Sequence, residues 1–531
     1  MKTMKFLSMA ALALVGAMMT GCSGDDDSIA DIPQQPENKS KIVTLTTTVG
    51  LDAGATTRAL TGGGVKTFAE GEQMAVVYNN GTSAVKAVSR ALEAGDITDE
   101  GKTASFTFDL ETPNTSVDVT YIYPAAMAKA DGSVNYDALA SQDGTLASLA
   151  SNLDLATKTA AWDGTSLPSC QLENQLAILA VTLKDNIVSP VEITSGITGM
   201  TISDGTYNYS VSRSAAAGPI YVAIRPTDAA DIEITATNGS VRFTKSLTGK
   251  TYAQGQGYNV SWKMNPVGAI RGRFSVSSTK QVYISMGNLQ ATYDGSAWSW
   301  AFATNQWDYI GNAVANTKVN DSSPWIDGTG TVDLFGWSTD NGLNYYGING
   351  GMSSWYTGGN FIDWGSLAIT NGGNATNAGW RTLTSSEWDY LLSLHYNGST
   401  VNGKNSAHYT MATVNGVKGL IIFPDNVTIA NSEASWGTNT IDNPFSDYAN
   451  TTCTADQWTA LEAKGCVFLP AAGNRNGTIV YHAGDWGFYW SSTSANDSNA
   501  YCMSFASGAM NPCYPYNRPY GYSVRLAIVA P

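Results

Sequence analysis

Residues 465–526 read GCVFLPAAGNRNGTIVYHAGDWGFYWSSTSANDSNAYCMSFASGAMNPCYPYNRPYGYSVRL. Short runs typical of β-strands, such as CVFLPA, FYWSS, YCMSF and YSVRL, alternate here with connections rich in Gly and Asn. Aromatic residues are concentrated beside these connections. The pattern predicts a rigid β scaffold with variable loops, and such loops usually carry the binding residues of a protein.

The composition of the whole chain indicates a folded, multidomain protein. Its 531 residues are enough for about three domains, and a hydrophobic fraction of 43% with 14% charged residues favours packed cores over disorder. The formal net charge is −15 at pH 7. This negative charge disfavours binding to nucleic acid or to an anionic membrane surface.

The N-terminus is typical of an exported protein. Lys2 and Lys5 precede an uncharged apolar run over residues 6–19, which has the length of a secretory signal and is too short to span a bilayer. We expect residues 1–21 to be a signal peptide and no transmembrane helix elsewhere.

The signal is followed by Met-Thr-Gly-Cys ending at Cys22, which resembles a bacterial lipobox. The resemblance implies that Cys22 carries the lipid, a palmitate-type anchor, as the mature N-terminus. The acidic residues at 25–27 resemble a signal for display on the outer cell surface. Residues 22–40 are polar and read as a flexible tether. The alternative is a secreted protein with a chance Gly-Cys pair.

Two groups of alternating strand patterns follow. The first contains IVTLTTTVGL (42–51), MAVVY (74–78), ASFTFDL (104–110) and VDVTYIYP (117–124); the second contains LAILAVTL (176–183), PIYVAIRP (219–226), DIEITAT (231–237), VRFTKSL (241–247) and YNVSW (258–262). Neither group shows long amphipathic helices. The sequence therefore predicts two antiparallel β-sandwiches, over residues 41–166 and 167–265.

This part of the chain resembles the fimbrillin family of pilus subunits. The resemblance rests on the order of several pieces, namely the lipobox, TTRA (56–59), FAEGEQMAVVY (68–78), YIYPAAMA (121–128), SLPSCQ before LAILAVTL, and YNVSWKM. It implies two transthyretin-like sandwiches, a lipoprotein precursor, and assembly with other pilus subunits by strand exchange. It also implies proteolytic maturation between Arg58 and Ala59, although Arg58 could equally be an ordinary loop residue.

A third domain is predicted over residues 266–531, where most of the tryptophans lie. Thr384 with Glu387 and Thr454 with Gln457 have capping-box spacing, and each pair precedes a Trp and a Leu three residues apart. These patterns predict two short helices docked on a sheet, the second ended by Gly465. We expect this domain to fold independently.

The segments GWRTLTSSEWDYLL (379–392) and GYSVRL (521–526) resemble the C-type-lectin-like fold in its larger, sulfatase-modifying-factor-like form. The resemblance implies an α+β domain. Oxidases that share this fold use a cysteine pair near the end of the domain, but the pair is spaced more widely here. An enzymatic role is therefore the least favoured reading.

The cysteines and histidines predict neither a cofactor nor a metal site. Cys502 and Cys513 flank a turn-rich segment and are the best candidates for a disulfide across a hairpin. A helix between Cys453 and Cys466 would hold them too far apart to pair. The three histidines of the chain match no metal-ligand spacing.

The densest cluster of candidate ligand-binding residues comprises Asp485, Trp486 and Tyr489 with Arg475 and Asn476. An aromatic face can stack on a sugar while polar side chains fix its hydroxyls. The alternative is that Tyr489 and its neighbour Trp490 are core residues.

These observations predict a cell-surface adhesin rather than an enzyme. We expect the tip subunit of a fimbria, held in the outer membrane by its lipid before maturation, whose last domain binds a glycan or protein. The alternatives are a non-polymerising, glycan-binding surface lipoprotein and an enzyme of the sulfatase-modifying fold.

Overall fold

The computed structural model describes residues 41–51, 67–111, 113, 117–163, 166–311, 316, 329–340, 345–348, 358–393 and 397–531. The predicted signal peptide (1–21), the whole tether (22–40) with Cys22, and the predicted cleavage site at Arg58 and Ala59 lie outside the described residues. Within the described ranges, no helix has both the length and the apolar composition needed to cross a membrane. The chain is built mainly from β-strands, as predicted.

The first β region forms one sheet that curls around its own core. Its strands are β1 (Ile42–Leu51), β2 (Ala75–Asn79), β3 (Ala84–Val88), β4 (Ile97–Thr98), β5 (Thr103–Glu111), β6 (Val119–Tyr123), β7 (Ser141–Gln142), β8 (Ala156–Ala160) and β9 (Cys170–Asn174). All except β7 join in the order β3-β2-β6-β8-β9-β1-β5-β4. Strand β9 pairs first with β1 and then with β8, so it links two halves that share one core.

The second β region repeats this arrangement. Its strands are β10 (Ala177–Asp185), β11 (Gly199–Ser203), β12 (Asn208–Ser212), β13 (Ile220–Ile224), β14 (Thr227–Thr237), β15 (Arg242–Tyr252) and β16 (Gly257–Pro266). They join, with β7, in the order β13-β10-β16-β15-β14-β11-β12-β7. Strand β16 pairs with β10 over most of its length and with β15 at its end, and so links the two halves.

The predicted antiparallel pairing holds for most neighbouring strands of these two sheets but not for all of them. Strand β1 runs parallel to β9, β10 runs parallel to β16, and β7 runs parallel to β12. Alternation of apolar residues marks a strand but is a local property. The direction of a partner that is distant in sequence depends on the crossover connection between the strands.

The predicted boundary between residues 166 and 167 does not coincide with a break in the sheets. Strand β9 belongs to the first sheet although it lies beyond this boundary, and β7 belongs to the second sheet although it lies before it. The chain therefore contributes β7 to the second sheet before it returns to the first sheet with β8 and β9.

The described residues of the last region form small sheets and two helices of more than two turns. Its strands are β17 (Phe274–Ser275), β18 (Gln281–Ile284), β19 (Leu289–Tyr293), β20 (Trp298–Phe302), β21 (Gly330–Val332), β22 (Arg381–Thr382), β23 (Ser399–Val401), β24 (Lys404–Ala407), β25 (Tyr409–Val414), β26 (Val417–Ile422), β27 (Thr428–Ile429), β28 (Thr452–Cys453), β29 (Val467–Pro470), β30 (Asn474–Asn476), β31 (Ile479–Tyr481), β32 (Trp486–Ser494), β33 (Asn499–Ala506), β34 (Ala509–Asn517) and β35 (Leu526–Val529). The main sheets have the orders β17-β18-β35-β22, β28-β25-β26-β29 and β32-β33-β34.

The two predicted helices are confirmed, together with their caps. They span Ser385–Leu392 and Ala455–Ala463, and both begin with the predicted capping box. In the first, Thr384 Oγ1 accepts from the amide of Glu387 at 3.1 Å and the Glu387 carboxylate accepts from the amide of Thr384 at 3.0 Å. The second ends before Gly465, which has the left-handed φ of +94° typical of that position.

A buried ion pair joins the second sandwich to the last region. Arg273 Nε donates to Asp185 Oδ2 at 2.6 Å, and the Tyr283 hydroxyl donates to the same oxygen at 2.9 Å. The other Asp185 oxygen accepts from the amide of Val191 at 2.7 Å. Arg273 also donates to the carbonyl of Pro531 at 2.9 Å. One hydrophobic cluster continues across this junction.

We predict that Asp185→Asn lowers the free energy of unfolding by about 3 kcal/mol, because it leaves the Arg273 guanidinium buried without a counter-charge. The measurement is the denaturant midpoint of the full-length protein. Glu173→Gln is the control, since its partner Lys158 and Glu173 keep 38% and 57% of their side chains exposed. That change should cost under about 1 kcal/mol. Equal costs for the two variants would contradict the prediction.

Candidate ligand-binding site

Arg475, the first predicted ligand-binding residue, is fully buried and supports the scaffold. It lies in β30, and its guanidinium donates to the carbonyls of Ile348 at 2.6 Å, Leu334 at 3.0 Å and Gly477 at 3.1 Å. Its own amide and carbonyl pair with Gly521. Arg475 therefore ties together segments that are distant in sequence, and its donors are directed at the backbone rather than at a surface.

Tyr489 is also fully buried. Its hydroxyl donates to the carbonyl of Pro470 at 2.8 Å and accepts from Asn288 Nδ2 at 3.2 Å. Burial raises the pKa of Tyr489 well above its usual value. The neighbouring Trp490 is buried too, and its indole donates to the carbonyl of Phe335 at 2.6 Å. The core interpretation of these two residues is the one that the structure supports.

The other three predicted residues lie at the surface. Asn476 and Asp485 are exposed and Trp486 is half-buried. Asp485 forms a 2.8 Å ion pair with Lys418 Nζ, a partner 67 residues earlier in the chain. The hydrogen bond to Asp485 raises the pKa of Lys418. No sequence motif signals Lys418, since it reaches the site only through the pairing of β26 with β29.

Trp486 belongs to a cluster of partly exposed rings. Its indole stacks on Phe488 at 5.7 Å between ring centroids and lies 5.9 Å from the ring of His482. The Tyr481 ring, 44% exposed, lies 6.4 Å beyond His482. We call Tyr481, His482 and Trp486, with the Asp485–Lys418 pair, the Trp486 surface. It offers apolar faces beside one exposed pair of charges.

The cysteines do not form the predicted disulfide. Cys502 and Cys513 are both free thiols in the structure, as are Cys170, Cys453 and Cys466. Strand β33 pairs with β34 through a register shift beside Cys502, which places Tyr514 rather than Cys513 opposite it. Burial raises the pKa of the Cys502 thiol well above its usual value.

Among the described residues, no group of three or more His, Cys, Asp or Glu side chains is placed to hold a metal ion. The histidines that the structure describes have other surroundings. His482 lies against Trp486, and His408 lies beside the buried carboxylate of Asp442.

Comparisons with known proteins give a short sequence match and distant structural likenesses. Residues 442–527 match a family described as a domain of unknown function (DUF8237), which is less than half of the chain and does not assign it to a family. No curated protein matches. The matched residues include Tyr481, His482, Asp485 and Trp486 of the Trp486 surface but not Lys418.

Three solved structures illustrate the structural likeness. A fimbrial assembly protein from Parabacteroides distasonis has 15% identity and a TM-score of 0.25, over 46% of this chain and 94% of that one. A fimbrial protein from Bacteroides ovatus has 10% identity and a TM-score of 0.19, over 92% and 99%. The minor pilin of Streptococcus agalactiae has 9% identity and a TM-score of 0.18, over 42% and 96%. Likeness at this level carries no conclusion about fold or role.

We predict that Arg475→Met destabilises the protein by at least about 2 kcal/mol, because buried carbonyls lose their donors. Asn476→Ala, on the neighbouring exposed residue, should change stability by less than about 0.5 kcal/mol. Chemical denaturation of the full-length variants measures both. A stable Arg475→Met protein would show that this arginine is not needed by the scaffold.

Proposed function

We propose that this chain is a surface-anchored fimbrial subunit that accepts a strand from a neighbouring subunit and binds a ligand through its last domain. The proposed role is adhesion without catalysis. The observation that carries the assembly part is the position of β1, which lies inside a sheet and is followed by the segment that contains Arg58.

Strand β1 contributes both hydrogen bonds and core residues to the first sandwich. It pairs antiparallel with β5 from Ile42 to Gly50 and parallel with β9 only from Val49 to Leu51. Alternate residues Thr47, Val49 and Leu51 are buried, whereas Ile42 is exposed. Loss of this strand would leave the backbone groups of β5 unpaired beside an apolar groove, which is the acceptor that β-augmentation requires.

Cleavage after Arg58 would separate β1 from the rest of the chain, since the strand ends at Leu51. It would also remove the tether and the lipid on Cys22. The replacement strand must run antiparallel to β5 and present apolar side chains at the positions of Val49 and Leu51. This geometry restricts the donor to a segment with alternate apolar residues over its second half.

The place of β35 within its sheet favours a tip position. Strand β35 lies between β18 and β22, and its residues Leu526–Ile528 are buried. Donating this strand to another subunit would break a sheet of the last region. A subunit that accepts a strand but keeps β35 in its own sheet ends a polymer, and the tip is where an adhesive domain contacts a ligand.

The non-polymerising alternative is supported by the side-chain hydrogen bonds of β1. Thr47 Oγ1 donates to the carbonyl of Pro168 at 2.9 Å, and Thr44 and Thr46 bond to Asp109 and Thr107 across the strand pair. These contacts hold β1 in the intact chain. A protein that is never cleaved would therefore remain a monomeric surface lipoprotein.

We predict that the protein cleaved after Arg58 binds a candidate stalk subunit in a complex that survives detergent electrophoresis without heating. Binding restores the pairing of β5 and covers the groove. Uncleavable Arg58→Ala protein is the matched control and should form no complex. Absence of a complex after cleavage would contradict strand acceptance, and incorporation of this chain within fibres rather than at their ends would contradict the tip position.

We predict that Cys22 carries the membrane anchor. Palmitate labelling of the protein in cells should be lost in Cys22→Ala, with Cys170→Ala as the control that keeps the label. Protease added to intact cells should digest the wild-type protein. Label that persists in Cys22→Ala would exclude this anchor, and protection from protease would exclude surface display.

A further inference from the structure

A polar cavity of about 660 Å³ lies in the last region, and none of its lining residues belongs to the Trp486 surface. One wall comes from the turn between β23 and β24, and the others come from the segment between β27 and β28. The lining residues are Asn402, Lys404, Trp436, Gly437, Thr438, Asn439, Thr440, Ile441, Asp442 and Asn443. The volume falls within the range of about 300–1,000 Å³ that is usual for small-molecule sites.

Three polar side chains that line the cavity have no partner within the described part of the chain. They belong to Asn402, Thr438 and Asn439. Any hydrogen bond that the structure shows for these three residues is made by a backbone atom and not by the side chain. Each side chain combines a donor with an acceptor. Together they offer mixed donors and acceptors to a ligand that carries several hydroxyl groups.

The charges of the cavity neutralise each other. Lys404 Nζ lies 3.2 Å from Asp442 Oδ2 and donates to the carbonyl of Ile441 at 2.7 Å. Burial raises the pKa of Asp442, but hydrogen bonds from His408 and from the amide of Tyr409 outweigh this effect and hold the pKa below its usual value. The carboxylate therefore stays ionised opposite the lysine, so the lining carries no net charge to attract an anion.

The loop that forms the cavity is held by its own hydrogen bonds. Asn443 Nδ2 donates to the carbonyl of Asn439 at 2.9 Å, and Asn443 Oδ1 accepts from the amide of Phe445 at 3.0 Å. Asp442 Oδ1 accepts from the amides of His408 and Tyr409 and so fastens the loop to the start of β25. The cavity is preorganised, which reduces the entropy lost when a ligand binds.

The cavity has one aromatic lining residue, Trp436, and an exposed aromatic residue, Phe445, follows the lining segment in sequence. The half-buried indole of Trp436 lines the cavity and lies 6.1 Å from the Phe423 ring. Phe445, two residues beyond Asn443, is 79% exposed, the highest value among the large hydrophobic side chains that the structure describes. An indole wall beside uncommitted amides and hydroxyls is the combination that binds the apolar face and the hydroxyls of a sugar ring.

We propose that this cavity binds a neutral oligosaccharide and that it, rather than the Trp486 surface, is the ligand site of the last domain. The inference deepens the proposed function, on whose adhesive part it rests, by naming the ligand class and the site. An anionic sugar is disfavoured because Lys404 is already paired with Asp442. The net charge of −15 disfavours anionic ligands further.

The test uses purified full-length protein on an array of neutral, sialylated and sulfated oligosaccharides. Asn402 and Asn439 have left-handed φ values of 48° and 53°, so Asn402→Gly and Asn439→Gly remove the amides without straining the backbone. Asn415→Gly is the matched control, since Asn415 has a φ of 49°, is exposed and lies outside the cavity lining. Melting temperatures establish that each variant used, including the combined one, folds.

We expect the wild-type protein and Asn415→Gly to bind the same neutral glycans. The combined Asn402→Gly and Asn439→Gly change should weaken this binding at least about tenfold, since the ligand loses hydrogen bonds to both amides. Binding of only anionic glycans, no glycan binding, or an equal loss in Asn415→Gly would overturn the proposal. Loss in Trp486→Ala with unchanged binding in the cavity variants would also overturn it.

Adhesion of cells that display the chain separates this inference from the proposed function. Adhesion to a protein-coated surface, without glycan binding, overturns the cavity proposal and leaves the adhesive function standing. Glycan binding that depends on Asn402 and Asn439, without any adhesion by cells, supports the cavity proposal and contradicts the adhesive function.

Discussion

The buried ion pair between Asp185 and Arg273 is the constraint on which the arrangement of the last region depends. Two charges removed from water are stable only when their remaining hydrogen-bonding groups are satisfied. Here the Tyr283 hydroxyl and the amide of Val191 donate hydrogen bonds to Asp185, and the carbonyl of Pro531 accepts one from Arg273. These groups come from the second sandwich and from both ends of the last region. The pair therefore fixes how the last region is attached to the second sandwich.

Sequence patterns predicted the elements of the fold far better than their partners. Strand β1 has the predicted bounds, and both capping boxes form, because alternation and capping depend on residues within one element. The parallel pairing of β1 with β9 depends on residues more than a hundred positions apart. The same limit explains why β7 and β9 cross the predicted boundary between the sandwiches.

In the candidate site, too, the sequence predicted what depends on local residues better than what depends on contacts between distant residues. Trp486 lies at the start of β32, where a side chain can remain half-exposed, whereas Tyr489 lies where both faces of the strand are covered. A run of aromatic residues in a sequence does not show which face of the strand is covered by another part of the protein. A charged residue such as Arg475 is expected at the surface. Its burial is explained by its acceptors, which include the carbonyls of Leu334 and Ile348, and these two residues are distant in sequence. The polar cavity had no sequence signal because Asn402 and Asn439 come from separate segments.

The core of the first sandwich is compatible with the proposed strand exchange and the proposed ligand binding in one chain. Val49 and Leu51 of β1 belong to a hydrophobic cluster that is separate from the cluster across the Asp185–Arg273 junction. Removing or replacing β1 therefore changes contacts within the first sandwich, whereas the junction and the polar cavity keep theirs. Because mutually distant, independent sites contribute additively to stability, exchange of this strand need not alter the affinity of the last domain.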